Sequence, residues 1–169
     1  RNLTMLTDLY QLTMMYGYQK CGMRNNRAVF DMFYRNTGDV TQYAIMAGLE
    51  QLIDYIKNLR FDEDALSYLT SLHLFDAQFI AALRDFRFTG DIYAVPEGTI
   101  VFPGEPLIRV SAPIFEAQLI ETALLNIINH QTLIATKASR VVQAAQGGSI
   151  LEFGLRRAQG PDAGIYGAR

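Results

Sequence analysis

Between Pro113 and the Gly147-Gly148 pair the sequence reads as one long helical stretch, residues 115–146, with Asn129-His130 its expected breaking point. An element of that length governs how the rest can be ordered, and the segment before it has a different period. From Gly90 onward, residues 91–95, 99–102 and 106–110 are short strand candidates. Pro96-Glu97-Gly98 and Pro103-Gly104-Glu105 separate them, as turns of a compact β unit would, and Pro113 ends that unit. Beyond the long helix, residues 149–153 read as a buried strand. Residues 154–164 follow as a basic, glycine-punctuated loop, with Ile165-Tyr166 opening a helix.

The first half is mainly helical. Thr7-Asp8 is an N-cap pair for the apolar stretch 9–18, which Cys21-Gly22 closes. Residues 27–35 alternate imperfectly, and their aromatic content favours a strand. Residues 48–59 form an amphipathic helix with Leu49, Leu52, Ile53 and Ile56 on one face. Residues 62–72 and 76–86 are two more helices, the first opened by Asp62-Glu63-Asp64. Carboxylates there complement the positive end of the helix dipole, so this trio reads as a solvated helix start and not as a metal cluster. The order is helices, a β unit, a long helix, then one strand and its loop, which places the chain in a mixed α and β class.

Composition bounds the function. The 169 residues are 50% hydrophobic and 19% charged, with a net charge of −2, which excludes a disordered chain. Such a chain can bury roughly 70% of the surface exposed on unfolding. A single cysteine, Cys21, excludes a disulfide scaffold and reads as a buried or incidental thiol. No apolar run approaches the roughly 18 residues of a membrane span, and no signal peptide opens the chain, so a cytoplasmic setting with no membrane partner is expected. The chain opens at Arg1 and ends on Gly167-Ala168-Arg169, which reads as a piece of something longer. Twelve arginines stand against three lysines, and arginine offers a planar fork for phosphate and carboxylate. Residues 1–139 hold eleven basic and fifteen acidic side chains, whereas residues 140–169 hold four and two.

Several familiar chemistries are absent. There is no phosphate loop of the Gly-x-x-x-x-Gly-Lys type and no Gly-x-Gly-x-x-Gly turn. His73 and His130 are far apart without ligand-spaced partners, so no metal ligand is named. The most informative place is Glu152-Phe153-Gly154-Leu155-Arg156-Arg157, where a strand end meets a glycine, a flat ring and two guanidinium forks. Ligands bind at such carboxyl ends of α/β strands. The set suits an aromatic anion, or an aromatic ring beside phosphate. A plain surface loop solvated by its arginines accounts for the same residues equally well. Tyr10, on an apolar helix, and Arg35, at the end of Phe33-Tyr34-Arg35, have ordinary structural readings on their own.

Four blocks taken together go further. Residues 7–14 (Thr-Asp-Leu-Tyr-Gln-Leu-Thr-Met), Phe33-Tyr34-Arg35, residues 121–126 with 134–140, and residues 151–164 resemble nicotinate phosphoribosyltransferase, in that family's order and over nearly the whole chain. The resemblance implies an α+β N-terminal domain, residues 1–146, followed by the start of an irregular α/β barrel in residues 147–169. It implies an enzyme that joins nicotinate to phosphoribosyl pyrophosphate, coupled to ATP hydrolysis, with Mg2+ as cofactor and no nucleic-acid partner. It also implies a homodimer whose active sites are shared between subunits. Carried over by motif, Phe153 stacks on the pyridine ring, Arg156 lies at the base and phosphate end, and Tyr10 covers the other ring face from the neighbouring subunit. Arg35 reaches the phosphoribosyl pyrophosphate, with Asp8, Arg140 and Arg157 in supporting positions. No side-chain nucleophile is needed for this chemistry, and none is found. The family's phosphorylatable histidine belongs to a segment beyond residue 169, so neither His73 nor His130 takes that role. Quinolinate phosphoribosyltransferase shares the middle helix pattern but not Phe153-Gly154-Leu155-Arg156. Nicotinamide phosphoribosyltransferase has an Asp before that Phe where Glu152 stands here, and the Arg156-Arg157 pair favours an anionic base. A non-catalytic oligomerising module is the alternative from another class.

Overall fold

The computed structural model describes residues 2–35 and 43–169, leaving Arg1 and residues 36–42 outside the described part. Helix α1 (Leu9–Lys20) is followed by β1 (Arg27–Phe33), β2 (Ala44–Ile45), α2 (Leu49–Lys57), α3 (Glu63–Ser71) and α4 (Ala77–Arg84). Then come β3 (Asp91–Ala94), β4 (Ile100–Val101), β5 (Pro106–Pro113), α5 (Ile114–Ala145), a 3-10 turn (Leu155–Arg157) and α6 (Pro161–Ala168). The expected mixture of helix and strand is present.

Strand β5 is the centre of a three-stranded antiparallel sheet ordered β1-β5-β3. Its alternation places Ile108, Val110 and Ala112 in the core and Arg109 and Ser111 on the opposite face. Gly90 admits β3 to this sheet, because a Cβ there would lie 2.3 Å from the Ala112 Cβ and 2.8 Å from the Ser111 carbonyl oxygen. The three strand candidates after Gly90 do not make one β unit. β3 and β5 adjoin, but β4 pairs with β2 in a separate two-stranded sheet. The cause is the turn between β3 and β4: Gly98 N–H donates to Met46 O at 2.8 Å and Met46 N–H donates to Thr99 O at 3.0 Å, drawing β4 across to β2.

The long helix α5 is unbroken for 32 residues, passing straight through Asn129-His130. Asparagine costs only tenths of a kcal/mol in a helix interior, and burial of Ile128, Gln131 and Thr132 on either side outweighs that. At about 1.5 Å per residue the helix is about 48 Å long. Its buried stripe is apolar in the first half (Phe115, Leu119, Ile120, Ala123, Leu124, Ile128) and polar in the second (Gln131, Thr132, Thr136). The apolar half packs on the sheet and on α4, with Phe79 and Phe115 edge to face at 5.9 Å. The polar half serves β2 and the residues after it: Thr136 Oγ1 accepts from Ile45 N–H at 2.9 Å, and Thr132 Oγ1 lies 3.3 Å from both the nitrogen and the oxygen of Ala47.

Three local readings change. Asp62 caps α3 as expected, accepting from Ala65 N–H at 2.9 Å, and Asp76 caps α4 in the same way. Cys21, by contrast, is exposed at the end of α1. Residues 149–153 form no strand, because no described strand lies beside them to share its ladder. Leu151 and Phe153 are 77% and 74% exposed. Helix α6 starts at Pro161 and not at Ile165. Proline at the first helical position follows Gly160, whose φ is 98°, and Leu155 lies against Gly164. The far end of α6 is fastened by Arg169, whose Nη2 donates to Glu97 Oε2 at 2.7 Å.

Candidate functional site

The first turn of α1 is held against α5 by one buried amide. Gln11 Nε2 donates to Gln118 O at 2.7 Å, and Gln11 Oε1 accepts from Asp8 N–H at 3.0 Å and from Thr7 Oγ1 at 2.6 Å. Thr122 Oγ1 lies 2.7 Å from that same oxygen and 2.9 Å from Asp8 Oδ2, so its single proton serves one or the other. Asp8 is therefore both the N-cap of α1 and a link to α5.

Tyr10 follows on this fixed turn. Its ring is 48% exposed and its hydroxyl donates to Glu121 Oε2 at 3.1 Å, an oxygen that also accepts from Gln118 Nε2 at 3.1 Å. Partial burial, then the hydrogen bond and negative charge of Glu121, push the Tyr10 phenol above its ordinary pKa, so it remains a neutral donor.

Glu121 also borders a cleft of about 200 Å3 between β1 and α5, lined further by Phe30, Asp31, Phe33, Arg35 and Leu124. Asp31 is already neutralised. It faces Arg109 directly across β1 and β5, accepting from Nε at 2.7 Å and from Nη2 at 2.8 Å, and this fork holds its carboxyl below the usual carboxylate range. Arg35 has no carboxylate partner among the described residues, which leaves an exposed guanidinium beside an apolar floor. Phe30 and Phe33, at the same rim, are each 44% exposed. An exposed fork beside aromatic rims can take phosphate or carboxylate together with a flat ring.

The remaining predicted residues lie elsewhere. Phe153, Arg156 and Arg157 form an exposed turn whose Gly154 N–H is held by the Glu152 carboxylate. None of the three lines the cleft of Arg35 or bonds Tyr10. The turn is packed on α6, which meets α5 where the rings of Tyr166 and His130 stand 6.2 Å apart. Glu121 and His130 are about 13 Å apart along the helix axis. Arg140 is separate again, its guanidinium 5.6 Å from the ring of Tyr43. The Ser139 hydrogen bond to Tyr43, together with that guanidinium, brings the Tyr43 phenol below its ordinary pKa.

Sequence reasoning thus names Tyr10, Asp8 and Arg35, which the fold gathers around α5, but it gives no role to Glu121, Gln118 or Thr122. Glu121 and Thr122 lie in the matching block 121–126, but nothing in that block marks their contacts with α1, which exist only once the two helices are packed together. Among the described residues no group of three or more His, Cys, Asp and Glu side chains is arranged to hold a metal ion. No helix there is long and apolar enough to cross a membrane.

Comparison with known proteins bears on the family. Residues 5–129 match the family model described as the nicotinate phosphoribosyltransferase N-terminal domain. The chain is 45% identical over 165 residues to nicotinate phosphoribosyltransferase pncB2 of Mycobacterium tuberculosis, covering 98% of this chain and 35% of that protein. It is 47% identical over 168 residues to nicotinate phosphoribosyltransferase of Bacillus subtilis, covering 99% and 34%. The crystal structure of human nicotinic acid phosphoribosyltransferase superposes with a TM-score of 0.86 at 37% identity, over 95% of this chain and 33% of that one. A nicotinate-nucleotide pyrophosphorylase from Pyrococcus furiosus, at 21% identity and a TM-score of 0.71, shares the fold. The chain spans about one third of the length of these relatives. By the extent of these matches, this chain belongs to the nicotinate phosphoribosyltransferase family and carries its N-terminal domain.

Proposed function

We propose that the protein carrying this chain joins nicotinate to the ribosyl carbon of phosphoribosyl pyrophosphate, giving nicotinate mononucleotide and pyrophosphate. The observation that carries this reading is 45% and 47% identity, over nearly every residue, to two proteins named for that activity. The pyridine nitrogen supplies the electron pair for the new bond to the ribosyl carbon. The bond from that carbon to the pyrophosphate oxygen breaks, and its electron pair leaves with the pyrophosphate. Such a step needs the ring held in line and the departing charge neutralised, not a protein nucleophile.

The roles divide accordingly. Tyr10 and Phe153 cover the two faces of the ring, Arg156 takes the anionic end of the base and its phosphate side, and Arg35 meets the phosphoribosyl pyrophosphate. Asp8, Arg140 and Arg157 support them. Tyr10 and Arg35 sit at the α1–α5–β1 corner while Phe153 and Arg156 sit on the α6 side, which supports a site completed by a second copy of the chain. The exposed rings of Phe30 and Phe33 beside the cleft support an interface there. Mg2+ and ATP coupling belong to the same reading, but no metal cage exists among the described residues, and no residue of this chain is given to either. The setting we infer is the cytoplasm, and residues 147–169 are read as the opening of the family's barrel.

Competition binding on the full-length protein tests the base. Nicotinate is expected to displace labelled nicotinate at far lower concentration than nicotinamide does. Preference for nicotinamide would sink the assignment of an anionic base.

A further inference from the structure

Tyr10 is placed by more than its helix. A half-exposed ring in the first turn of a helix is free to swing about its own side-chain bonds unless something holds its far end. The backbone beneath it is fixed by Gln11, the buried amide that binds Gln118 O and gathers Asp8, Thr7 and Thr122. The far end of the ring is tethered by the 3.1 Å hydrogen bond from its hydroxyl to Glu121 Oε2, with the Thr122 side chain beside the same hydroxyl. Gln118 Nε2 donates to the same oxygen from one helical turn away, fixing the carboxylate in turn. Glu121 is thus anchored on α5, holds the ring of Tyr10, and borders the cleft that contains Arg35.

We propose that Glu121 is a positioning residue for the pyridine substrate, acting through the Tyr10 hydroxyl to hold the ring at the tilt at which it covers the base. This rests on the reading of Tyr10 given above. Glu121 does not itself meet the substrate, since a carboxylate against an anionic base would repel it. Its contribution is to remove the freedom of a stacking ring before the base arrives, and it therefore belongs to base binding and not to the bond-making step.

A double-mutant cycle on the full-length enzyme, with nicotinate and phosphoribosyl pyrophosphate varied separately, tests this. E121A and Y10F are each expected to raise the KM for nicotinate by about three- to tenfold, the scale of a weakened ring contact. The kcat and the KM for phosphoribosyl pyrophosphate should stay within about twofold, because neither variant touches the reacting atoms. The E121A/Y10F double variant is expected to be no worse than either single one, since both remove the same hydrogen bond. E121Q, which keeps an acceptor oxygen, should recover most of the loss. Multiplying effects, a loss confined to kcat, or an E121Q as impaired as E121A would each overturn the proposal. If E121A does not fold, Y10F decides alone: an unchanged nicotinate KM overturns it. Y10A separates the two readings. If Y10A leaves the nicotinate KM unchanged, Tyr10 does not cover the base and both fall. If Y10A is impaired while Y10F and E121A are not, only the role of Glu121 falls.

Discussion

Asp31 and Arg109 show how a single pair of side chains can be both solvent-facing and informative. They are directly opposite in the β1–β5 register, and the guanidinium meets both carboxylate oxygens. The hydrogen bonds from Arg109 hold the Asp31 carboxyl below its ordinary range. Its stabilising effect is therefore complete above the unfolded-state pKa, near 4, and is lost as pH falls through the lower folded-state value. D31N should lower the thermal midpoint at pH 7, and the gap to the wild type should narrow as pH falls below the ordinary carboxylate range, near 4. A gap that stays constant from pH 7 to pH 2.5 would show that the pair contributes by packing and not by charge. The same pair matters to the cleft, because it leaves Arg35 as the cation there without a carboxylate partner among the described residues. Glu97 is a second carboxylate of this kind. Burial pushes it up, but the amides of Gly48 and Leu49 at 2.6 and 2.7 Å and the Arg169 guanidinium reverse that, leaving it lowered.

At the scale of elements, β2 depends on a helix as much as on its partner strand. One edge pairs with β4, the Ile45 N–H on the other is met by the Thr136 hydroxyl of α5, and Thr132 meets Ala47 just beyond the strand. T136V keeps the shape and removes the 2.9 Å acceptor of Ile45 N–H, so it should cost about 1–2 kcal/mol in urea denaturation. T132V, whose two contacts to Ala47 are both 3.3 Å, should cost less; an equal or larger loss at T132V would contradict this account. The element scale also shows what could be read in advance. The helices around Leu49, Asp62 and Asp76 were legible because each carries a cap or a strong local period, and the strand from Arg27 was legible from its aromatic content despite an imperfect alternation. β2 was not, since two residues have no period and its reason for existing lies 91 positions away in Thr136. The strand expected at 149–153 has the composition of one, but pairing is a property of neighbours. Tyr10 and Arg35 were recoverable only as parts of longer blocks, and Glu121 became visible only when α1 was laid against α5.

At the scale of the molecule, the two groups of proposed substrate residues are held on different sides of α5. If a second copy completes each site, defects on the two sides should complement each other. A Y10A/R35A variant and an F153A/R156A variant, each inactive alone, should recover about a quarter of the wild-type activity when unfolded together and reassembled, since half of the random dimers then contain one intact site. No recovery from the mixture would sink the shared-site arrangement. The continuity of α5 has a consequence for how such a protein can vary. A helix with no break transmits angle as well as length, and each residue inserted within it would turn everything beyond by about 100° and advance it by about 1.5 Å. One insertion between Ile128 and Thr132 would therefore rotate the threonines off β2 while Glu121 kept its grip on Tyr10. The shortest insertion that restores the phase to within about 20° is seven residues, and it displaces the far end by about 10 Å. Along this shaft, side chains can be exchanged one at a time, whereas length can change only at its two ends.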